Sequence, residues 1–183
     1  FVAFTVPFAF GIAALITGEI KDSWVMSIRR WTLFAWVFLT IGNILGMQWA
    51  YVELGWGGYW AWDPVENSSL MPWLTGTAFL HSIIVQERKG VLKRWTISLV
   101  VLTFALTIFG TFVTRSGLIA SVHAFGVSDL GPLFLGFLAL IIVVSAFLLI
   151  KRAPVLKGKK DIGSWTSKES SFLLNNLLFV AMT

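Results

Sequence analysis

Residues 95–114 read WTISLVVLTFALTIFGTFVT, twenty positions without Asp, Glu, Lys or Arg. That is the length a helix needs to cross a hydrocarbon layer of about 30 Å at 1.5 Å per residue. Five other mostly apolar stretches are equally free of charge, at 1–17, 31–51, 67–85, 132–150 and 171–183. The four inner stretches, of 21, 19, 20 and 19 residues, predict complete membrane spans. The two terminal ones read as truncated spans, so the expectation is an all-α, polytopic transmembrane bundle. Residues 1–183 form a single membrane domain in this reading, the central segment of a longer protein. Residues 1–17 lack the basic leader and small-residue cleavage site of a signal peptide. The composition agrees: the 183 residues are 57% hydrophobic and 13% charged, whereas a soluble domain carries about a quarter charged residues. The absence of cysteine excludes disulfide frameworks, iron–sulfur clusters, thiolate metal sites and cysteine nucleophiles.

The 14 basic residues divide sharply among the connecting segments. Loop 18–30 holds Lys21, Arg29 and Arg30, and loop 86–94 holds Arg88, Lys89, Lys93 and Arg94. Loop 151–170 holds Lys151, Arg152, Lys157, Lys159, Lys160 and Lys168. The alternate loops, 52–66 and 115–131, hold between them only Arg115. The positive-inside tendency puts the basic side in the cytoplasm or its organellar equivalent, and the other two loops on the outer face. A net charge of +5 therefore reports topology, not nucleic-acid binding.

The outer loops carry the chemistry. The window WAYVELGWGGYWAWDPVENSSLMPW, residues 49–73, contains five of the ten tryptophans and both tyrosines. Indoles commonly anchor a span end at the membrane surface, which accounts for Trp31, Trp49 and Trp95. It accounts less well for Trp56, Trp60 and Trp62, crowded into one loop with Gly55, Gly57 and Gly58. Glycines allow close backbone approach and indoles offer flat faces, a combination suited to a large planar ligand. Both readings stand on composition alone. Asp63, Pro64 and Glu66 occupy the N-cap, first and third positions of a capping box, so the third helix is expected to begin there. Pro72 falls inside that helix and is expected to bend it.

Two histidines complete the set. His81 lies within the apolar 67–85 stretch. An ionisable group at membrane depth faces the bundle interior, either hydrogen-bonded to a neighbouring helix or functional. His123 lies in the outer loop RSGLIASVHAF, residues 115–125. Imidazoles for axial ligation, aromatic walls and Arg115 as a cation for propionates fit two haem positions.

The sequence WGGYWAWDPVENSS (56–69), followed by LHS (80–82) and VHAF (122–125), resembles the tryptophan-rich signature of the haem-handling proteins of cytochrome c maturation. Within that superfamily the whole chain is most similar to the CcmF family, the haem lyase component. The resemblance implies an outer haem platform of Trp56, Gly57, Gly58, Trp60, Trp62, Asp63, Pro64 and Glu66. It implies that His123 ligates the iron of substrate haem and that His81 ligates a permanent intramembrane haem b. Each partner histidine is expected outside residues 1–183, so this segment alone is expected to be inactive. The family accepts haem from a membrane haem chaperone and joins its vinyl groups to the CxxCH cysteines of apocytochrome c. It works with other maturation subunits as a holocytochrome c synthase, in the bacterial inner or mitochondrial inner membrane. The protein's share in that chemistry is positioning, and no acid–base residue is assigned. One rival is a haem-delivery protein of the same superfamily, which needs no permanent haem at His81. A rival of another class is a solute transporter or quinone-binding subunit, for which Asn43, Gln48 and Pro72 offer polar or helix-breaking positions.

Overall fold

The computed structural model describes residues 1–18, 22–55, 57–117, 119–123, 129–154, 156 and 168–183. After a short 3-10 turn at Val2–Phe4 come six helices: α1 Thr5–Thr17, α2 Asp22–Glu53, α3 Pro64–Lys89, α4 Lys93–Arg115, α5 Leu130–Lys151 and α6 Lys168–Ala181. No strand occurs among the described residues. Each expected apolar stretch contains a helix, and the four inner helices overrun the charge-free limits at both ends. The 18–30 loop shrinks because α2 begins at Asp22 and carries Arg29 and Arg30 on its first turns. Absence of charge marks what lies in hydrocarbon, whereas the hydrogen-bond ladder continues into the aqueous boundary.

Among the described residues three helices are long and apolar enough to cross a membrane: α2 from Trp24, α4 and α5. The protein is thus an integral membrane protein. Its fourth expected span, α3, is 26 residues long but less apolar, and its position explains this. It packs against α2, α4 and α6, so Ser68, Thr75, Ser82 and Gln86 are buried against protein and not lipid. By contrast α5 is apolar all round and largely exposed, with Leu133, Val143, Phe147 and Ile150 each more than 60% accessible, as a lipid-facing helix should be.

Successive helices are antiparallel. Between α2 and α3, the Trp36 indole donates to Thr77 Oγ1 at 2.9 Å and the Trp73 indole donates to Thr40 Oγ1 at 2.8 Å. The two rings stack with centroids 5.5 Å apart. Thr103 Oγ1 on α4 donates to Thr75 Oγ1 on α3 at 3.0 Å. Gly110 lets α4 approach the Ser68 carbonyl, which an added Cβ would meet at 3.1 Å. That carbonyl lies four residues before Pro72, whose missing N–H leaves it without a helical partner. Pro72 does not end α3, which runs unbroken to Lys89.

The two ends of the bundle differ in charge. At one end Arg29 pairs with Glu87, and Arg152 donates to the carbonyls of Leu15 at 2.9 Å and Ile16 at 2.6 Å. A guanidinium thus satisfies carbonyls in the last turn of α1 and complements the negative end of the helix dipole. The opposite end gathers the C-terminus of α2, the N-terminus of α3, the C-terminus of α4 and the N-terminus of α5.

Candidate functional site

Asp63 opens the site. Its φ of −60° and ψ of 144° are those of an N-cap, and its carboxylate accepts from Val65 N at 3.0 Å. Glu66 returns the capping box: its Oε2 accepts from Asp63 N at 3.2 Å and from Ala61 N at 3.0 Å. The expected capping box is therefore present, with Pro64 in the first turn.

Asp63 also does something the local sequence does not disclose. The same oxygen, Oδ2, accepts from Ser121 Oγ at 2.6 Å and lies 3.2 Å from His123 Nδ1. Ser121 Oγ in turn accepts from the His123 backbone N–H at 3.0 Å. A carboxylate only accepts, so the imidazole donates from Nδ1, and in the neutral ring that leaves the lone pair on Nε2. The α4–α5 loop is thereby fastened to the N-cap of α3. Side chains of Asp63 and His123 are 11% and 19% exposed, so the contact is shielded from competing water.

His123 lines an open-sided cleft of about 240 Å³. One wall comes from Gly42, Asn43, Gly46, Met47 and Trp49 of α2, the other from Trp60, Val65, Glu66 and Ser69. The Trp49 ring is 5.4 Å from the His123 ring. A Cβ at Gly42 or Gly46 would meet nothing within 4 Å, so this glycine pair leaves the cleft floor open. The Trp60 Nε1 is buried and has no hydrogen-bond partner among the described residues. The cleft is below the usual range of about 300–1,000 Å³ for enclosed ligands, so a larger molecule bound there would remain partly outside it.

The other predicted residues lie as follows. Trp56 is outside the described residues. Gly57 has a positive φ of 68° and is exposed, Gly58 is half-buried, and neither lines the cleft. Trp62 has φ 57°, rare for a bulky side chain, and is 71% exposed. It stands edge-on to Trp60 at 6.2 Å but lines a second recess, with Asn67, Leu70, Met71, Leu74 and Met182. Pro64 is exposed, and Arg115 is exposed at the end of α4. Neither lines the His123 cleft.

His81 lies 18 residues beyond Asp63 on α3, about 27 Å along the axis, so it belongs to a separate place. It is half-buried, its ring stacks on Phe179 of α6 at 6.0 Å, and its buried Nδ1 has no partner among the described residues. One residue on, Ser82 accepts from the fully buried Asn176 of α6 at 2.5 Å. A buried, unpartnered imidazole nitrogen in apolar surroundings fits a haem ligand position. Among the described residues no group of three or more His, Cys, Asp or Glu could hold a metal ion by itself.

Sequence reading missed Trp49, Ser121 and the α2 wall. The G-x-x-x-G spacing of Gly42 and Gly46 was a visible signal, one ordinarily read as a helix-packing stripe.

Residues 1–119 match a family model described as Cytochrome C assembly protein. The chain is 51% identical over 179 residues to the cytochrome c-type biogenesis protein CcmF of Pseudomonas aeruginosa, covering 97% of this chain and 27% of that protein. It is 47% identical over 182 residues to CcmF of Escherichia coli strain K12, covering 99% and 28%. A solved structure titled Cytochrome c Heme Lyase CcmF superposes with a TM-score of 0.78 at 39% identity, over 98% of this chain and 27% of that one. The chain thus spans little more than a quarter of the length of these relatives.

Proposed function

The chain belongs to the cytochrome c assembly protein family, and on that premise we propose that it is the haem-handling core of a CcmF-type haem lyase. In this reading it is one segment of a longer protein of the bacterial inner membrane, with the His123 cleft on the periplasmic face. The carrying observation is His123 set in a tryptophan-walled cleft with its Nδ1 tied to Asp63.

Substrate haem, delivered by a membrane haem chaperone, lies across the cleft with its iron at His123. Trp49 and Trp60 give its ring flat apolar contact. Arg115, outside the cleft lining, supplies positive charge for the propionates on the same side of the membrane. The bound porphyrin is held still while the CxxCH peptide of apocytochrome c approaches its vinyl groups, so the contribution of the chain is orientation. His81 would hold the iron of a resident haem b, with its partner ligand from elsewhere in the longer protein. When bound and reduced by an electron donor, that group would supply the electron that makes the outer iron ferrous.

The test uses the optical spectrum of the full-length protein. His81→Ala abolishes the b-type absorbance, whereas His123→Ala spares it and blocks holocytochrome formation. An unchanged spectrum after His81→Ala overturns the assignment of the resident haem, and normal holocytochrome yield after His123→Ala overturns that of the outer site.

A further inference from the structure

We propose that Asp63 is the positioning residue for His123, fixing the tautomer and aim of the imidazole that meets substrate haem. The inference rests on the reading of His123 as an iron ligand and adds a role for a residue whose sequence context announces only a helix cap.

Three observations converge on one oxygen. Asp63 Oδ2 takes the cap donor Val65 N, the Ser121 hydroxyl and His123 Nδ1. Capping α3 calls for only the first of these, and serine or asparagine caps a helix as well as aspartate. The two additional donors both come from the α4–α5 loop, 58 and 60 residues further along the chain. Ser121 is positioned by the carboxylate and then holds the His123 backbone, so both the ring and the main chain of residue 123 refer back to Asp63.

The chemical consequence follows from the direction of the Nδ1 bond. An imidazole that donates from Nδ1 to a carboxylate presents Nε2 as the electron-pair donor, and the carboxylate strengthens that donation. Outer partners of this kind set ligand orientation, and their loss typically costs about 10- to 100-fold in metal affinity. The N-cap location adds rigidity. Pro64, the Glu66 return bonds and the body of α3 fix the carboxylate, so a ligand on an irregular loop inherits the precision of a helix terminus.

The experiment compares Asp63→Asn, Asp63→Ser and His123→Ala in the full-length protein. Helicity and thermal midpoint identify variants that keep the cap. Haem is then titrated into protein depleted of substrate haem, with the ligand-field spectrum and midpoint potential of the outer haem as readouts. Asp63→Asn and Asp63→Ser are expected to fold normally, to bind haem about 10- to 100-fold more weakly, and to show a mixed-spin spectrum with a raised potential. If His123→Ala alters the outer haem spectrum but both folded Asp63 variants match the wild type, the positioning role is overturned and the ligand assignment stands. If His123→Ala itself leaves the spectrum unchanged, the ligand reading has failed, and the positioning role falls with it.

Discussion

Thr40→Val tests the α2–α3 lock beside the His123 cleft. Thr40 Oγ1 accepts from the Trp73 indole and donates to the Trp36 carbonyl; Thr77 does the reciprocal, accepting from Trp36 and donating to the Trp73 carbonyl. Valine keeps nearly the same shape but leaves the Trp73 N–H facing a methyl. Leaving a buried donor unpaired costs about 1–3 kcal/mol in water-soluble proteins. Intramembrane side-chain bonds average about 0.6 and reach about 1.7 kcal/mol, so about 1 kcal/mol is expected here. Trp73→Phe removes the donor itself, at the cost of a smaller ring in the stack with Trp36. In that background Thr40→Val strands nothing, because the hydroxyl was the acceptor for a group no longer present. Its cost therefore falls to a few tenths of a kcal/mol. The assay is an SDS-unfolding titration of the detergent-purified protein, run as a double-mutant cycle and repeated with Thr77→Val and Trp36→Phe as its mirror. Equal cost of Thr40→Val in both backgrounds refutes the reasoning, since it would mean that the hydroxyl matters only for packing. Because Gly42 and Gly46 follow Thr40 on α2 while Ser69 and Glu66 precede Trp73 on α3, the same variant is expected to weaken haem retention at His123.

Gly110→Ala places a methyl 3.1 Å from the Ser68 carbonyl oxygen and 2.8 Å from the Phe1 ring. The ring can turn but the backbone cannot, so a loss of about 1–3 kcal/mol is expected, read as a lowered thermal midpoint. No loss would show that α3 and α4 part freely there. Trp62→Gly relieves a left-handed conformation worth about 1–2 kcal/mol of strain while removing a side chain that is 71% exposed. Stability is expected to hold or to rise by up to about 1 kcal/mol, with haem retention at His123 unchanged, because Trp62 lines the other recess. A clear loss of stability would mean that the indole is packed into the fold.

Hydropathy, charge and local hydrogen-bonding chemistry are properties of contiguous residues, and what depends on them could be read in the sequence. The apolar stretches became helices because a backbone in hydrocarbon has no other way to satisfy its amides. Asp63, Pro64 and Glu66 announced the start of α3 because a cap involves partners only three residues away. The helix overruns, as at Arg29 and Arg30, were hidden because charge reports the membrane boundary and not the end of the ladder. Asp63 shows where local reading stops. Its cap was visible, but its bonds to Ser121 and His123 join residues about 60 positions apart, and no periodicity encodes which loop crosses which helix terminus. The tryptophans divide in the same way: aromatic crowding was plain, yet only packing separates Trp60 in the cleft from Trp62 on the far recess and brings Trp49 across from α2. The Gly42 and Gly46 pair could equally have closed a helix contact, and the placement of α3 alone made it the floor of an open cleft. Sequence settled what each segment is; three-dimensional packing settled which segments meet, because those contacts depend on distance in space and not on distance along the chain.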